Sequence, residues 1–249
     1  MKPLLIVKTG STVPNVRERR GDFEDWIEAG LALSETPAET VSIYEGDALP
    51  DPALLSGIVI TGSSAMVTER EEWSERCAAW LPDVIKVGVP TLGICYGHQL
   101  LAHGLGGEVA RNPNGREIGT VEIDLRAAEG DKLLGAFAPS AHFQATHVES
   151  VVALPRTATR LGSNAADPNH AFRIGGADSA VWGIQFHPEF DADIMRGYLE
   201  ARRDVLAAES VNADALIAQT LDTPGGATLL GRFGAIVEKK HIILQSLRQ

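Results

Sequence analysis

The sequence predicts an α/β protein: a mostly parallel sheet with helices on both faces, a small antiparallel layer and a C-terminal helical extension. Three observations carry this reading. Short apolar runs alternate with stretches of helical period along the N-terminal half. The runs are apolar throughout rather than alternating, as strands buried on both faces are. Past residue 107 the texture changes to strand-like pieces separated by turn residues, and past residue 191 it becomes helical.

Leu4-Leu5-Ile6-Val7 before Thr9-Gly10 reads as the first buried strand. Asp22 to Leu33 carries Phe23, Trp26, Ile27, Ala29 and Leu31 at helical spacing. Val41 to Tyr44 and Ile58-Val59-Ile60 read as the next two strands, the latter ending at Thr61-Gly62. Thr68 to Lys86 reads as a helix, with Glu69, Glu71 and Glu72 where the helix dipole favours acids. Pro90 to Ile94 is a fourth strand, Gln99 to His103 a helix, and Gly104 to Gly107 its stop. Glu108 to Arg111 and Ile118 to Leu125 flank the turn cluster Asn112-Pro113-Asn114-Gly115. Further strand-like pieces are Thr159 to Gly162, Ala171 to Ile174 and Ala180 to Phe186, with a hairpin turn at Gly175 to Ser179. Helical pattern then runs from Asp191, through Ala213 to Leu221, to a last helix over 227–246 after Pro224-Gly225-Gly226. The domain reading is a catalytic unit over 1–190 and a helical extension over 191–249 packed on it.

With 249 residues, 44% apolar and 22% charged, the chain has an ordinary globular composition. A net charge of −11 argues against nucleic acid or an anionic membrane as partner. No segment reaches the ~20 apolar residues of a membrane span. Two cysteines, Cys77 and Cys95, are too few for a disulfide framework, and the N-terminus lacks a signal peptide, so the expected location is the cytoplasm.

The chemistry centres on Leu92-Gly93-Ile94-Cys95-Tyr96-Gly97-His98-Gln99. Glycines at i−2 and i+2 of a cysteine between a buried strand and a helix form the nucleophile-elbow pattern, in which a strained turn presents one side chain to a cleft. The helix N-terminus favours a thiolate, and the N–H of Tyr96 points where an oxyanion would form. A buried cysteine packed between glycines fits the same residues. A second constellation raises the first reading: the strand before His187-Pro188-Glu189 ends at the proline, and i and i+2 share a face, so Glu189 can hold His187 beside a thiol that needs a base.

Together, Gly93 to Gln99 and Gln185-Phe186-His187-Pro188-Glu189 resemble the class I, or triad, glutamine amidotransferase family, nearest in flavour to free-standing relatives of the GMP synthase glutaminase domain. The resemblance spans roughly residues 55 to 190. It implies a flavodoxin-like sheet and hydrolysis of glutamine through a γ-glutamyl thioester. Cys95 is then the nucleophile, His187 the general base and acid, Glu189 its orienting partner, and Gln99 a substrate contact. Gly62, in Thr61-Gly62-Ser63-Ser64, supplies the second oxyanion N–H beside that of Tyr96, where the family usually carries Gly-Gly-Pro or Asn-Gly-Pro. The family's Ser-His-Gly-Asp segment corresponds to Thr146-His147-Val148-Glu149, which places His147 at the substrate and puts Val148 where a glycine stands.

His98 reads as structural or as pocket wall, His103 as a helix residue, and His142, His170 and His241 carry no metal spacing, so no metal and no cofactor are expected. The residues beyond the catalytic unit are too few for an ATP-dependent synthetase domain. Three readings follow. One is a free-standing glutaminase or the glutaminase subunit of an amidotransferase feeding a synthetase partner. A second is a hydrolase of another γ-glutamyl peptide or amide, and a third is an idle scaffold. The apolar helices of the extension serve self-packing or a homodimer contact.

Overall fold

A computed structural model describes residues 2–246, with side chains through Lys239; the expectation for His241 lies outside that range. The strands are β1 (Leu4–Lys8), β2 (Ala38–Ser42), β3 (Gly57–Ile60), β4 (Thr91–Ile94), β5 (Glu108–Arg111), β6 (Glu117–Asp124), β7 (Ser140–His147), β8 (Glu149–Ala153), β9 (Ala158–Gly162), β10 (Ala171–Ile174) and β11 (Val181–Ile184). The helices are α1 (Pro14–Arg20), α2 (Phe23–Leu31), α3 (Glu72–Val87), α4 (Tyr96–Gly104), α5 (Ala192–Ala201), α6 (Arg203–Ala208), α7 (Ala213–Gln219) and α8 (Gly225–Ser246).

Seven strands form the main sheet in the order β2-β1-β3-β4-β11-β10-β9. The pairs from β2 to β11 are parallel, while β10 and β9 complete the edge antiparallel. Strand alternation divides the core into two. Leu4, Ile6, Val59 and Leu92 meet Ile27, Leu31, Met195 and Phe233 on one face. On the other, Leu5, Val7, Ile58 and Ile60 meet Leu81, Val84, Leu100 and Leu101. The helix-covered parallel sheet is therefore as the sequence predicts. Helix α8 belongs to the first layer: its Leu229, Leu230, Phe233 and Val237 are buried beside α2.

Several boundaries differ from expectation for identifiable reasons. The second strand is Ala38–Ser42 rather than Val41 to Tyr44; it is a half-exposed edge in register with β1, Leu4 opposite Ala38, so it needs few apolar residues. Ile43–Glu45 is a 3₁₀ turn instead. Helix α3 starts at Glu72, because Arg70 adopts a left-handed conformation (φ 52°) after a 3₁₀ turn at Val67–Glu69. The short helix α1, opened by Pro14, and the strands β7 and β8 carry too weak a periodicity to be read in advance. The turn cluster at Asn112 is present, but it joins strands of two separate ribbons: β5 pairs with β8, and β6 with β7. The glycine-rich stretch after Ile174 is the expected hairpin between β10 and β11. No described helix is long and apolar enough to cross a membrane.

Candidate active site

Strand β4 runs straight into Cys95, and α4 begins one residue later. Cys95 has φ 50° and ψ −99°, a conformation that non-glycine residues rarely adopt. Its N–H is tied to the Ile184 carbonyl at 2.8 Å and its carbonyl accepts from Gln99 N at 3.1 Å, so the bend is clamped on both sides. The flanking glycines make the close approach possible. A Cβ on Gly93 would lie 2.6 Å from the Gly97 carbonyl carbon, and one on Gly97 would lie 2.8 Å from Ile60 Cβ. The expected elbow is thus formed for a steric reason readable in Gly-Ile-Cys-Tyr-Gly.

The neighbouring strand leads to His187. In β11, Ile184 is in register with Ile94, so the chain beyond it emerges at the same C-terminal end of the strands as Cys95. Gln185 N bonds to His170 O and His187 N to Gln144 O, both at 2.8 Å, which fixes the direction in which His187 projects. Its Nδ1 lies 2.7 Å from Glu189 Oε1, with the carboxylate fully buried. Aromatic stacking holds the ring plane: the Phe190 centroid is 4.2 Å away and Phe23 stacks at 6.2 Å. Burial pushes the His187 pKa down, but the Glu189 carboxylate and the Cys95 sulfur outweigh it and raise the pKa to about 10. The other ring nitrogen, Nε2, is buried and has no hydrogen-bond partner within the fold. Cys95 Sγ itself makes a 3.8 Å contact with the Thr146 carbonyl.

Gly62 lies against this ring: a Cβ there would come within 2.9 Å of His187 Cε1. The loop is anchored by Thr9, whose hydroxyl lies 3.0 Å from both the Thr61 and Gly62 carbonyls and shares its one proton between them. Thr61 O in turn accepts from Gly97 N at 3.1 Å, locking the loop to the first turn of α4. Among the described residues, the N–H groups of Gly62 and Tyr96 have no acceptor within the fold.

A small cavity at Cys95 is lined by Tyr96, Gln99, His147, Val148 and Glu149 among others. Gln99 borders it, yet its amide donates to Glu149 O at 2.8 Å and Gln185 Oε1 at 2.9 Å. His147 is likewise committed to the protein. Nδ1 donates to the Glu149 carbonyl at 2.9 Å, and Nε2 faces Glu117 Oε2 at 2.9 Å. Val148 forms part of the cavity wall where the family carries glycine, and Glu149 is held by the Thr68 hydroxyl. Larger hollows elsewhere, one beside Glu122 and Arg126 and one beside Ile85 and Lys132, are lined by neither cysteine nor histidine.

Glu117, His147 and His170 are a group whose ligand atoms converge closely enough to suggest a metal. Their geometry is that of a hydrogen-bonded network. One carboxylate oxygen contacts both imidazoles directly, at 2.9 and 2.7 Å, and so occupies the point between them, while the other accepts from Asn164 at 2.6 Å. Burial pushes the Glu117 pKa up, but the two imidazoles outweigh it and hold the carboxyl well below the usual range. Sequence spacing could not reveal this triad, since register pairs Glu117 with His147 across two strands.

His98 is fully buried on Phe172, 4.8 Å between centroids, and burial lowers its pKa to about 3. His103 pairs with Glu75 at 3.0 Å. Cys77 is inside α3, and burial pushes its thiol up to about 12.

Residues 30–201 match the family described as Glutamine amidotransferase class-I. A Saccharomyces cerevisiae protein whose name assigns it provisionally to the glutamine amidotransferases is 32% identical over 68% of this chain and 66% of its own length. The GMP synthase [glutamine-hydrolyzing] of Aeropyrum pernix is 34% identical over 65% of this chain. The aligned region spans about two thirds of the yeast relative and only 29% of that synthase. Two solved structures share the fold. A glutamine amidotransferase from Thermotoga maritima has a TM-score of 0.71 at 22% identity, covering 96% of this chain and 98% of its own. One from Methylobacillus flagellatus has a TM-score of 0.77 at 20% identity, covering 96% and 95%. With the family profile matching over more than half of its length, the chain belongs to the class I glutamine amidotransferases.

Proposed function

We propose that the chain hydrolyses the side-chain amide of glutamine to glutamate and ammonia through a γ-glutamyl thioester on Cys95. The observation that carries this reading is a strained, glycine-flanked cysteine facing a histidine whose far nitrogen is held by a buried carboxylate 2.7 Å away. The sulfur attacks the γ-carbonyl carbon, and the carbonyl electrons move to an oxygen stabilised by the N–H groups of Gly62 and Tyr96. Collapse breaks the carbon–nitrogen bond, and the amine leaves with the proton carried by His187. A water then gives a proton to His187 and attacks the thioester, releasing glutamate and restoring the cysteine. Glu189 keeps the ring oriented and able to hold that proton.

The ammonia is released to solvent by a free-standing glutaminase or passed to a synthetase partner, the coupling that the name of the Aeropyrum relative suggests. Full turnover by the purified chain supports the first; a rate that rises only on adding a partner supports the second. The thioester itself is tested by acid quenching during turnover and peptide mass spectrometry. A glutamyl adduct on Cys95, with no turnover in Cys95→Ala, is expected. Wild-type rates in Cys95→Ala would remove the nucleophile from this scheme.

A further inference from the structure

Two cavities flank the Cys95–His187 pair, and Arg202 lines both. It sits where α5 meets α6, outside the sequence motifs that point to the triad. Its guanidinium lies over the Tyr198 ring, 4.8 Å from the centroid, and Tyr198 is itself pinned by a 2.7 Å hydrogen bond between its hydroxyl and that of Thr12. The side chain is therefore held on a fixed shelf.

No acceptor meets it there. Nη1 is buried without a hydrogen-bond partner, and among the described residues no carboxylate pairs with Arg202. Arg116, the other arginine at the nucleophile's cavity, is by contrast held by both oxygens of Glu209, at 2.8 and 3.0 Å. A guanidinium nitrogen buried without an acceptor is costly, and planar forks of this kind match carboxylates.

Size and direction indicate which carboxylate it takes. The cavity on the His187 side measures about 170 Å³, against about 60 Å³ on the Cys95 side. A water-sized molecule such as ammonia needs only ~15 Å³ on the same measure. The leaving amine departs towards His187, which protonates it, so the roomier cavity is the one that receives the amine half of a substrate. Besides His187, Arg202 is the cationic side chain in its wall.

We propose, resting on the thioester reading above, that Arg202 forms an anion subsite on the leaving-amine side. The site then takes γ-glutamyl compounds whose amine half carries a carboxylate, such as γ-glutamyl amino acids.

The test compares kcat/KM for γ-glutamylglycine and the uncharged γ-glutamylethylamide, read as glutamate released, in wild type, Arg202→Met and Arg202→Lys. A charge-assisted contact predicts that wild type prefers the glycine compound and that this preference falls by about 10- to 100-fold in Arg202→Met. Arg202→Lys should recover part of it. The ratio is insensitive to the fraction of folded enzyme. An equal fall on both substrates overturns the subsite, since the guanidinium would then serve the glutamyl half or the fold. Turnover of free glutamine with neither amide cleaved overturns the subsite and leaves the thioester reading standing. Silence on all three substrates, with no glutamyl adduct on Cys95 in the acid-quench experiment above, overturns that reading, and the subsite falls with it.

Discussion

Gly93→Ala isolates the steric basis of the elbow. The added Cβ would lie 2.6 Å from the Gly97 carbonyl carbon and 2.9 Å from His98 N, where ordinary contact begins at 3.4 Å. Both obstacles are backbone in the first turn of α4, so no side-chain rotation relieves them. The turn must move by about 0.8 Å in a close-packed interior. Cys95 and the Tyr96 N–H ride on that turn, and misplacement of about 1 Å at a reacting centre costs on the order of 100-fold in rate. Overpacking of this kind also destabilises by about 1–3 kcal/mol, or roughly 2–12 °C in Tm for a chain of this size. The assay pairs glutamate release with thermal unfolding, and Gly176→Ala is the control, because a Cβ there meets nothing within 4 Å. Wild-type turnover and Tm in Gly93→Ala would refute the claim that the glycine is required by contact.

Other consequences concern charge and reactivity. Iodoacetamide should alkylate Cys95 and spare Cys77 in the folded chain, as peptide mass spectrometry would show; equal labelling would contradict the burial of Cys77. In Glu189→Gln the largest influence holding the His187 proton in place is removed, so the alkaline limb of kcat/KM should move to lower pH; an unmoved limb would mean the carboxylate does not set that ionisation. Because the folded His187 pKa is raised, its contribution to stability is complete below about pH 6.5 and is lost as pH rises through about 10, so the Tm gap between the two forms should close above that value. Glu117→Gln leaves two buried imidazoles without their shared anion and should cost about 3 kcal/mol near neutrality. Glu117 has a lowered pKa, so its contribution is present above its unfolded value near 4.5 and vanishes in acid; a Tm gap that persists at low pH would count against the network.

The legible parts of this molecule were those whose cause lies within a few residues. The run into Cys95, its two glycines and the His-Pro-Glu strand end are local patterns, and the parallel strands announce themselves because both their faces are buried. What escaped depends on partners distant in sequence. Strand β7 alternates weakly because His142 is exposed while Gln144 and His147 are buried by polar contacts. Thr9 steadies the Gly62 loop from 52 residues away, and Phe23 and Phe190 orient His187 from two different helix approaches. Hydrogen bonds that occupy Gln99 and His147 reach β8, β6 and Gln185 just beyond β11, so no motif centred on either residue could have shown them all.

The bend at Cys95 sets stability against activity. A left-handed φ at a residue with a side chain stores about 1–3 kcal/mol, supplied by the sheet and helix that clamp it. Glycine at that one position would release the stored energy and delete the sulfur in the same stroke. On the proposed mechanism, selection for robustness alone would pull this position towards an inert chain, against the demand for turnover.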